Sequence, residues 1–305
     1  MVVLVSATLT TYSYGFFAAT REGASAQQAL AEITINDTNP SPENLTSTKD
    51  GTVFFGSTAK GTIYRALPKA AQAEAWIKGD VAGLTNVLGV LADEKSNTLW
   101  VCSNAPFGGN SAAKGQTALR SFDLKTGNAK GTYPTPGGGA FNDIAVAKDG
   151  TVYVSDTFNS RILRLKPDAK ALDVWLADPQ LRGIDGLTFL ADGFLYFNNF
   201  FNGKLSRTAA KPDGSAGPIV EIQTSVPFRQ PDGLRTSGPK TMLQVEGSGR
   251  LTEITIEGDK AEVRVIKEGL SRAAGVTQIG STALVLVDRL KAVAVPISKS
   301  TERMR

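Results

Sequence analysis

The sequence predicts an all-β fold, a six-bladed β-propeller with a metal site at its central channel, on three observations. A strand–turn–strand pattern recurs along the chain, its copies are spaced like propeller blades, and six such units account for almost everything from about Ser41 to Ile297. Three segments carry the pattern fully: "FNDIAVAKDGTVYVSDTFNSRILRLKP", "GIDGLTFLADGFLYFNNFFNGKLSRT" and "QPDGLRTSGPKTMLQVEGSGRLTEITI". Looser copies are "SPENLTSTKDGTVFFGSTAKGTIYRA", "VLGVLADEKSNTLWVCSN" and "AAGVTQIGSTALVLVDRLKAVAVPI".

Aligned on their first strands, the copies place Glu43, Leu88, Asn142, Asp185, Asp232 and Ala274 in one slot, at intervals of 42 to 54 residues. One four-stranded blade takes about 40–50 residues. The longest interval contains the glycine-rich insert "APFGGNSAAKGQT" after Asn104, which could cover the channel mouth. "AEITI" at 31–35 is expected to supply the outer strand of the last blade and close the ring. The propeller thus occupies residues 31–298, with a tail at 299–305. Residues 1–30 read as a signal peptide or a flexible segment. "ASA" before Gln27 resembles a cleavage site, but the basic start of a secretory signal is missing. Secretion or periplasmic export is the expectation, and a cytoplasmic location the alternative.

Composition narrows the chemistry. With 305 residues, 41% of them hydrophobic, the chain can bury a large core without disulfides. The net charge of +4 is scattered rather than clustered, which argues against nucleic acid as a partner and leaves a small molecule. No apolar run after the N-terminal segment is long enough for a transmembrane span. Histidine is absent and Cys102 is the sole cysteine, which excludes Ser-His-Asp and Cys-His nucleophile systems and disfavours zinc. Cys102, inside "TLWVCSN", reads as a buried structural thiol.

In a propeller the innermost strand of each blade begins beside the channel. Glu43, Asn142, Asp185 and Asp232 would therefore direct oxygen at one axis. Three converging carboxylates repel one another and raise their own pKa values unless a cation balances them. All-oxygen ligation suits a hard divalent cation, Ca²⁺ before Mg²⁺. At any single position the polar residue could simply cap a turn; four in register favour a metal site. A second column, Ser57, Asn104, Asp156, Asn199, Glu246 and Asp288, lies at strand ends facing the same mouth and is expected to cap loop backbone. Asp143, Asp156 and Asn199 could instead support the ligands from behind. Phe107, Phe141, Phe158, Phe200, Phe201 and Phe228 fall in loops or strand entries on that face, as a substrate mouth or as loop packing.

On "SPEN", "FNDIAV", "GIDGL" and "QPDGL", the chain resembles the senescence-marker-protein/gluconolactonase (regucalcin-like) family, related to paraoxonase-type and strictosidine-synthase-like propellers. The resemblance covers most of residues 40–297 at pattern level. It implies that Glu43, Asn142, Asp185 and Asp232 contact a divalent metal or substrate, with Asp232 as ligand and general base. It also implies hydrolysis of a lactone or related ester through metal-bound water. Two departures stand out. Asp185 occupies a slot that is commonly Asn in the family, and Ala140 stands where sugar-lactone members often carry Arg. A sugar-acid substrate is disfavoured accordingly. The alternative is a non-catalytic small-ligand-binding or structural propeller with a bound calcium ion.

Overall fold

Short apolar runs broken by Gly and Asp-Gly leave this chain little choice but β-structure. The computed structural model describes residues 1–2, 31–106 and 116–297. The expected N-terminal leader, Phe107 with most of the glycine-rich insert, and the C-terminal tail lie outside the described residues. Among these, the only helical segments are Gly79–Ala82 and the 3₁₀ turn Pro179–Leu181. No helix is long and apolar enough to cross a membrane.

The strands assort into antiparallel units of four. Unit 1 comprises Pro42–Ser47, Val53–Ser57, Ile63–Ala66 and Gln72–Ile77. Unit 2 comprises Asn86–Asp93, Thr98–Asn104, Ala118–Asp123 and Ala129–Pro134. Unit 3 runs through Phe141–Val146, Val152–Asp156, Arg161–Leu165 and Asp173–Ala177. Unit 4 runs through Ile184–Phe189, Leu195–Asn199, Leu205–Thr208 and Val220–Thr224. Unit 5 contains Pro231–Thr236, Thr241–Glu246, Arg250–Glu257 and Lys260–Lys267. In unit 6, Val276–Ile279, Thr282–Val287 and Lys291–Pro296 are completed by Glu32–Ile35 from the other end of the chain. That strand pairs antiparallel with Lys291–Pro296, Glu32 opposite Val293, as "AEITI" predicts.

The inner strands touch in a closed circuit, each against the next, with Val276–Ile279 returning to Pro42–Ser47. Outer strands are linked in two places by short parallel pairings, Thr34 with Gln72 and Gln223 with Lys260. Because successive side chains in a strand point to opposite faces, each unit contributes to two cores. Phe54 packs with Leu99 and Phe122 of unit 2, while its neighbour Phe55 packs with Ala274 and Leu286 of unit 6. The hairpin turns behave as read: Asp50, Asp149 and Asp192 each accept the N–H two residues on, and Gly51, Gly150 and Gly193 take positive φ.

Two features of the inner strands position the site. A bulge interrupts the entry of each from unit 1 to unit 5: Pro42–Asn44, Val87–Val90, Phe141–Ile144, Ile184–Leu187 and Pro231–Leu234. Bulges re-aim side chains, and these contain the slot residues. The position after the slot is glycine in four units, where backbone approaches backbone. A Cβ on Gly89 would lie 2.2 Å from the Asn142 carbonyl oxygen, and one on Gly233 would lie 2.7 Å from that of Ala274. Gly89→Ala is therefore expected to cost about 1–3 kcal/mol through overpacking, read as a lowered urea midpoint. An unchanged midpoint would mean that the inner circuit has slack.

Candidate functional site

The bulges bring the four oxygen-bearing slot residues into mutual influence. Asn142 Nδ2 donates to Asp185 Oδ2 at 3.0 Å and to Thr157 Oγ1 at 3.3 Å. Glu43 is buried, and its Oε2 has no hydrogen-bond partner. Burial pushes the Glu43 carboxyl up to about 7; Asp143 adds to this, while Arg289 and Arg235 oppose it. Asp185 is raised well above the usual range by burial, then by Glu43 and Asp143, against the Asn142 hydrogen bond. Asp232, only partly buried by its neighbours, is likewise raised by desolvation, then by Asp185 and Glu43, with Arg289 opposing. Leu88 and Ala274 complete the circuit without a charge.

Among the described residues, no three His, Cys, Asp or Glu side chains are drawn close enough together to form a ready metal cage. Asp185 is engaged by the amide nitrogen of Asn142 instead. A half-turn of that amide would present its oxygen in the same place. The donor chemistry fits a hard cation: three carboxylates raised first by desolvation, a neutral amide and one buried carboxylate oxygen without a partner.

One layer along the channel lies an ion pair that the sequence did not disclose. Arg235 donates to Asp143 through two nitrogens, at 2.6 and 2.8 Å, with 1% of the Asp143 side chain exposed. The guanidinium also reaches Asn44 Oδ1 at 3.2 Å and its own strand at Leu234 O, 2.8 Å. Asp143 Oδ2 accepts the Leu187 N–H at 3.0 Å. This one pair therefore ties units 5, 3, 1 and 4 across the axis. The Asp143 side chain thus bonds strands of other units rather than its own backbone. A signal was present: at the position after the slot, where four units have glycine, units 1 and 3 carry Asn44 and Asp143.

Ser57, Asn104, Asp156, Asn199 and Glu246 of the second column bond backbone. Asp156 accepts the Ala140 N–H at 2.9 Å and is held by Arg161 and Asn159. Asn199 donates to the carbonyls of Gln180 and Arg182 and accepts from Phe201 and Asn202. Asn104 bonds both backbone groups of Phe141, and Glu246 takes the Arg229 N–H. Of the aromatics, Phe141 and Phe228 are buried in hydrophobic clusters and do not line a mouth. Phe158 and Phe201 are 62% and 59% exposed, and Phe200 meets Phe201 edge-on at 6.2 Å. Cys102 is buried, and burial pushes its thiol well up.

Fold and site together define a β-propeller with carboxylates at the entries of its inner strands. No known family profile matches the chain. A curated relative, "Core trichothecene cluster (CTC) protein 14" of Fusarium sporotrichioides, is 30% identical over 116 residues, 36% of this chain. The match spans only 31% of that protein's length. Among solved structures, a gluconolactonase from Xanthomonas campestris aligns with TM-score 0.63 at 16% identity, covering 83% of this chain and 85% of that one. Virginiamycin B lyase from Staphylococcus aureus gives 0.62 at 17%, covering 86% and 83%. The aldose sugar dehydrogenase of Streptomyces coelicolor gives 0.59 at 16%, covering 87% and 96%. At such identities the likeness establishes the fold alone.

Proposed function

We propose that the chain is a six-bladed propeller hydrolase of a lactone or related ester, dependent on a divalent cation, with Ca²⁺ the first choice. Glu43, Asn142, Asp185 and Asp232 would hold the cation. The observation that carries this reading is a buried Glu43 oxygen that has no partner, beside two further carboxylates, Asp185 and Asp232, that desolvation holds with it above the ordinary range. The Xanthomonas gluconolactonase of similar fold supports it. Fold alone would not, since a lyase and a sugar dehydrogenase share the architecture. When bound, a divalent cation neutralises the cluster and polarises a carbonyl.

The chain's own residues have separable roles. Without histidine, proton transfer falls to a carboxylate, and Asp232 is the candidate because it is the least buried of the three. Asn142 fixes Asp185, and Thr157 fixes Asn142, its hydroxyl in turn donating to the Ile184 carbonyl.

The test couples hydrolysis to stability. Lactones and aryl esters are assayed with Ca²⁺, Mg²⁺ or chelator, alongside thermal unfolding. Ca²⁺ at a hundredfold excess over its Kd should stabilise by about 2.7 kcal/mol. The pH dependence has a definite sign. With its pKa raised from 4.5 to about 7 on folding, Glu43 contributes stability that is complete below 4.5 and lost as pH rises through 7 in cation-free protein. Added Ca²⁺ should therefore stabilise more at about pH 8 than at about pH 5, because it binds the ionised carboxylates. Stabilisation without hydrolysis anywhere on the panel would replace the enzyme with a calcium-binding propeller. Neither effect would remove the cation as well.

A further inference from the structure

Unit 6 breaks the pattern of the slot. It offers Ala274, too short to reach the axis, between Asp232 of unit 5 and Glu43 of unit 1. A second position, just past the second-column residue, can reach a slot. In unit 3 this is Thr157, whose hydroxyl meets Asn142 directly. In unit 6 it is Arg289.

The environment of Arg289 is that of a group waiting for a partner. It is half-buried, and its charge acts on both Glu43 and Asp232. Among the described residues it forms no ion pair with either, nor any side-chain hydrogen bond. The turn presenting it places two successive non-glycine residues, Asp288 and Arg289, at φ of 54° and 55°. Asn-Gly would satisfy such a turn with less strain, and backbone strain of this kind concentrates at functional sites. A guanidinium presents a planar fork of donors that matches a carboxylate.

We propose that Arg289 is the specificity-determining residue of the site, recognising a carboxylate on the substrate beside the bond to be cleaved. Resting on the hydrolase reading, this narrows the substrate class to lactones or esters that carry a carboxylate of their own. Ala140, in unit 3, contributes no such cation; the anion is received from unit 6.

The inference is tested by binding, independently of turnover. Calorimetry on the Ca²⁺-loaded protein compares two matched pairs, 3-hydroxybutanoate and 4-hydroxybenzoate against their methyl esters. At least one carboxylate should bind wild type about tenfold more tightly than it binds Arg289→Gln, with Arg289→Lys intermediate and the methyl esters indifferent to the change. Hydrolysis of a carboxylate-bearing ester should show the same substitution as a raised KM with kcat little changed. Equal binding of both carboxylates to wild type and Arg289→Gln, including no binding to either, would overturn the proposal. So would an equal loss for carboxylates and methyl esters. If the carboxylate preference stands and no ester is cleaved, the anion site survives while the hydrolase falls. Hydrolysis with no such preference gives the reverse.

Discussion

Replacing Arg235 with methionine is expected to destabilise the protein by about 3–5 kcal/mol, a large share of the stability of an ordinary domain. The substitution leaves the Asp143 carboxylate buried with the Leu187 N–H at 3.0 Å and a long contact to Asn44 at 3.5 Å. Neither balances a charge. The guanidinium also serves the Leu234 carbonyl, so a backbone acceptor loses its donor too. The penalty arises from stranding a charge more than from the intrinsic worth of the pair. A double variant, Arg235→Met with Asp143→Leu, should therefore recover most of the loss. Urea unfolding of wild type, single and double variants decides the matter. A single variant within about 1 kcal/mol of wild type would mean that water reaches Asp143.

Asp232→Asn is expected to lower turnover by at least a hundredfold at saturating Ca²⁺ while leaving the circular dichroism spectrum unchanged, on the ~10²–10⁴ that a positioned proton acceptor supplies. In cation-free protein, stability should hold or rise. The substitution removes a carboxylate that desolvation, Asp185 and Glu43 hold above its ordinary range, with Arg289 opposing. Saturating cation separates loss of the base from loss of a ligand. A variant retaining a third of the wild-type rate would relieve Asp232 of the role. Raised stability with abolished turnover is the pattern of a site that trades stability for chemistry.

What the residues disclosed before any coordinates follows the repeat. Glu43, Asn142, Asp185 and Asp232 could be picked out because each recurs at the same place in its own copy, and a ring directs equivalent places at one axis. The Asp-Gly turns and the strand "AEITI" were readable for the same reason: their chemistry is local or repeated. Arg235 and Asp143 were not. They stand 92 residues apart, on strands that meet only once the ring exists. Phe141 and Phe228 were placed at the mouth from their position in the chain, but Phe141 heads a bulge that sends it into the core while Asn142 faces Asp185. A bulge leaves no mark in composition. Arg289 escaped notice because unit 6, like unit 2, has nothing polar in its slot.

The pairing of Glu32–Ile35 with Lys291–Pro296 has a consequence for how the molecule is made. Lys291 also forms an ion pair with Glu32, 259 positions away. At typical synthesis rates of roughly 5–20 residues per second, the first strand emerges about 13–50 s before its partner exists. During that interval the earlier units can fold on one another, but the edge that will close the circle stays open. The final contacts are also those with the largest loop-closure entropy, which places them late on any folding route. The clasp is therefore a completion signal, withheld until the last strand has been synthesised.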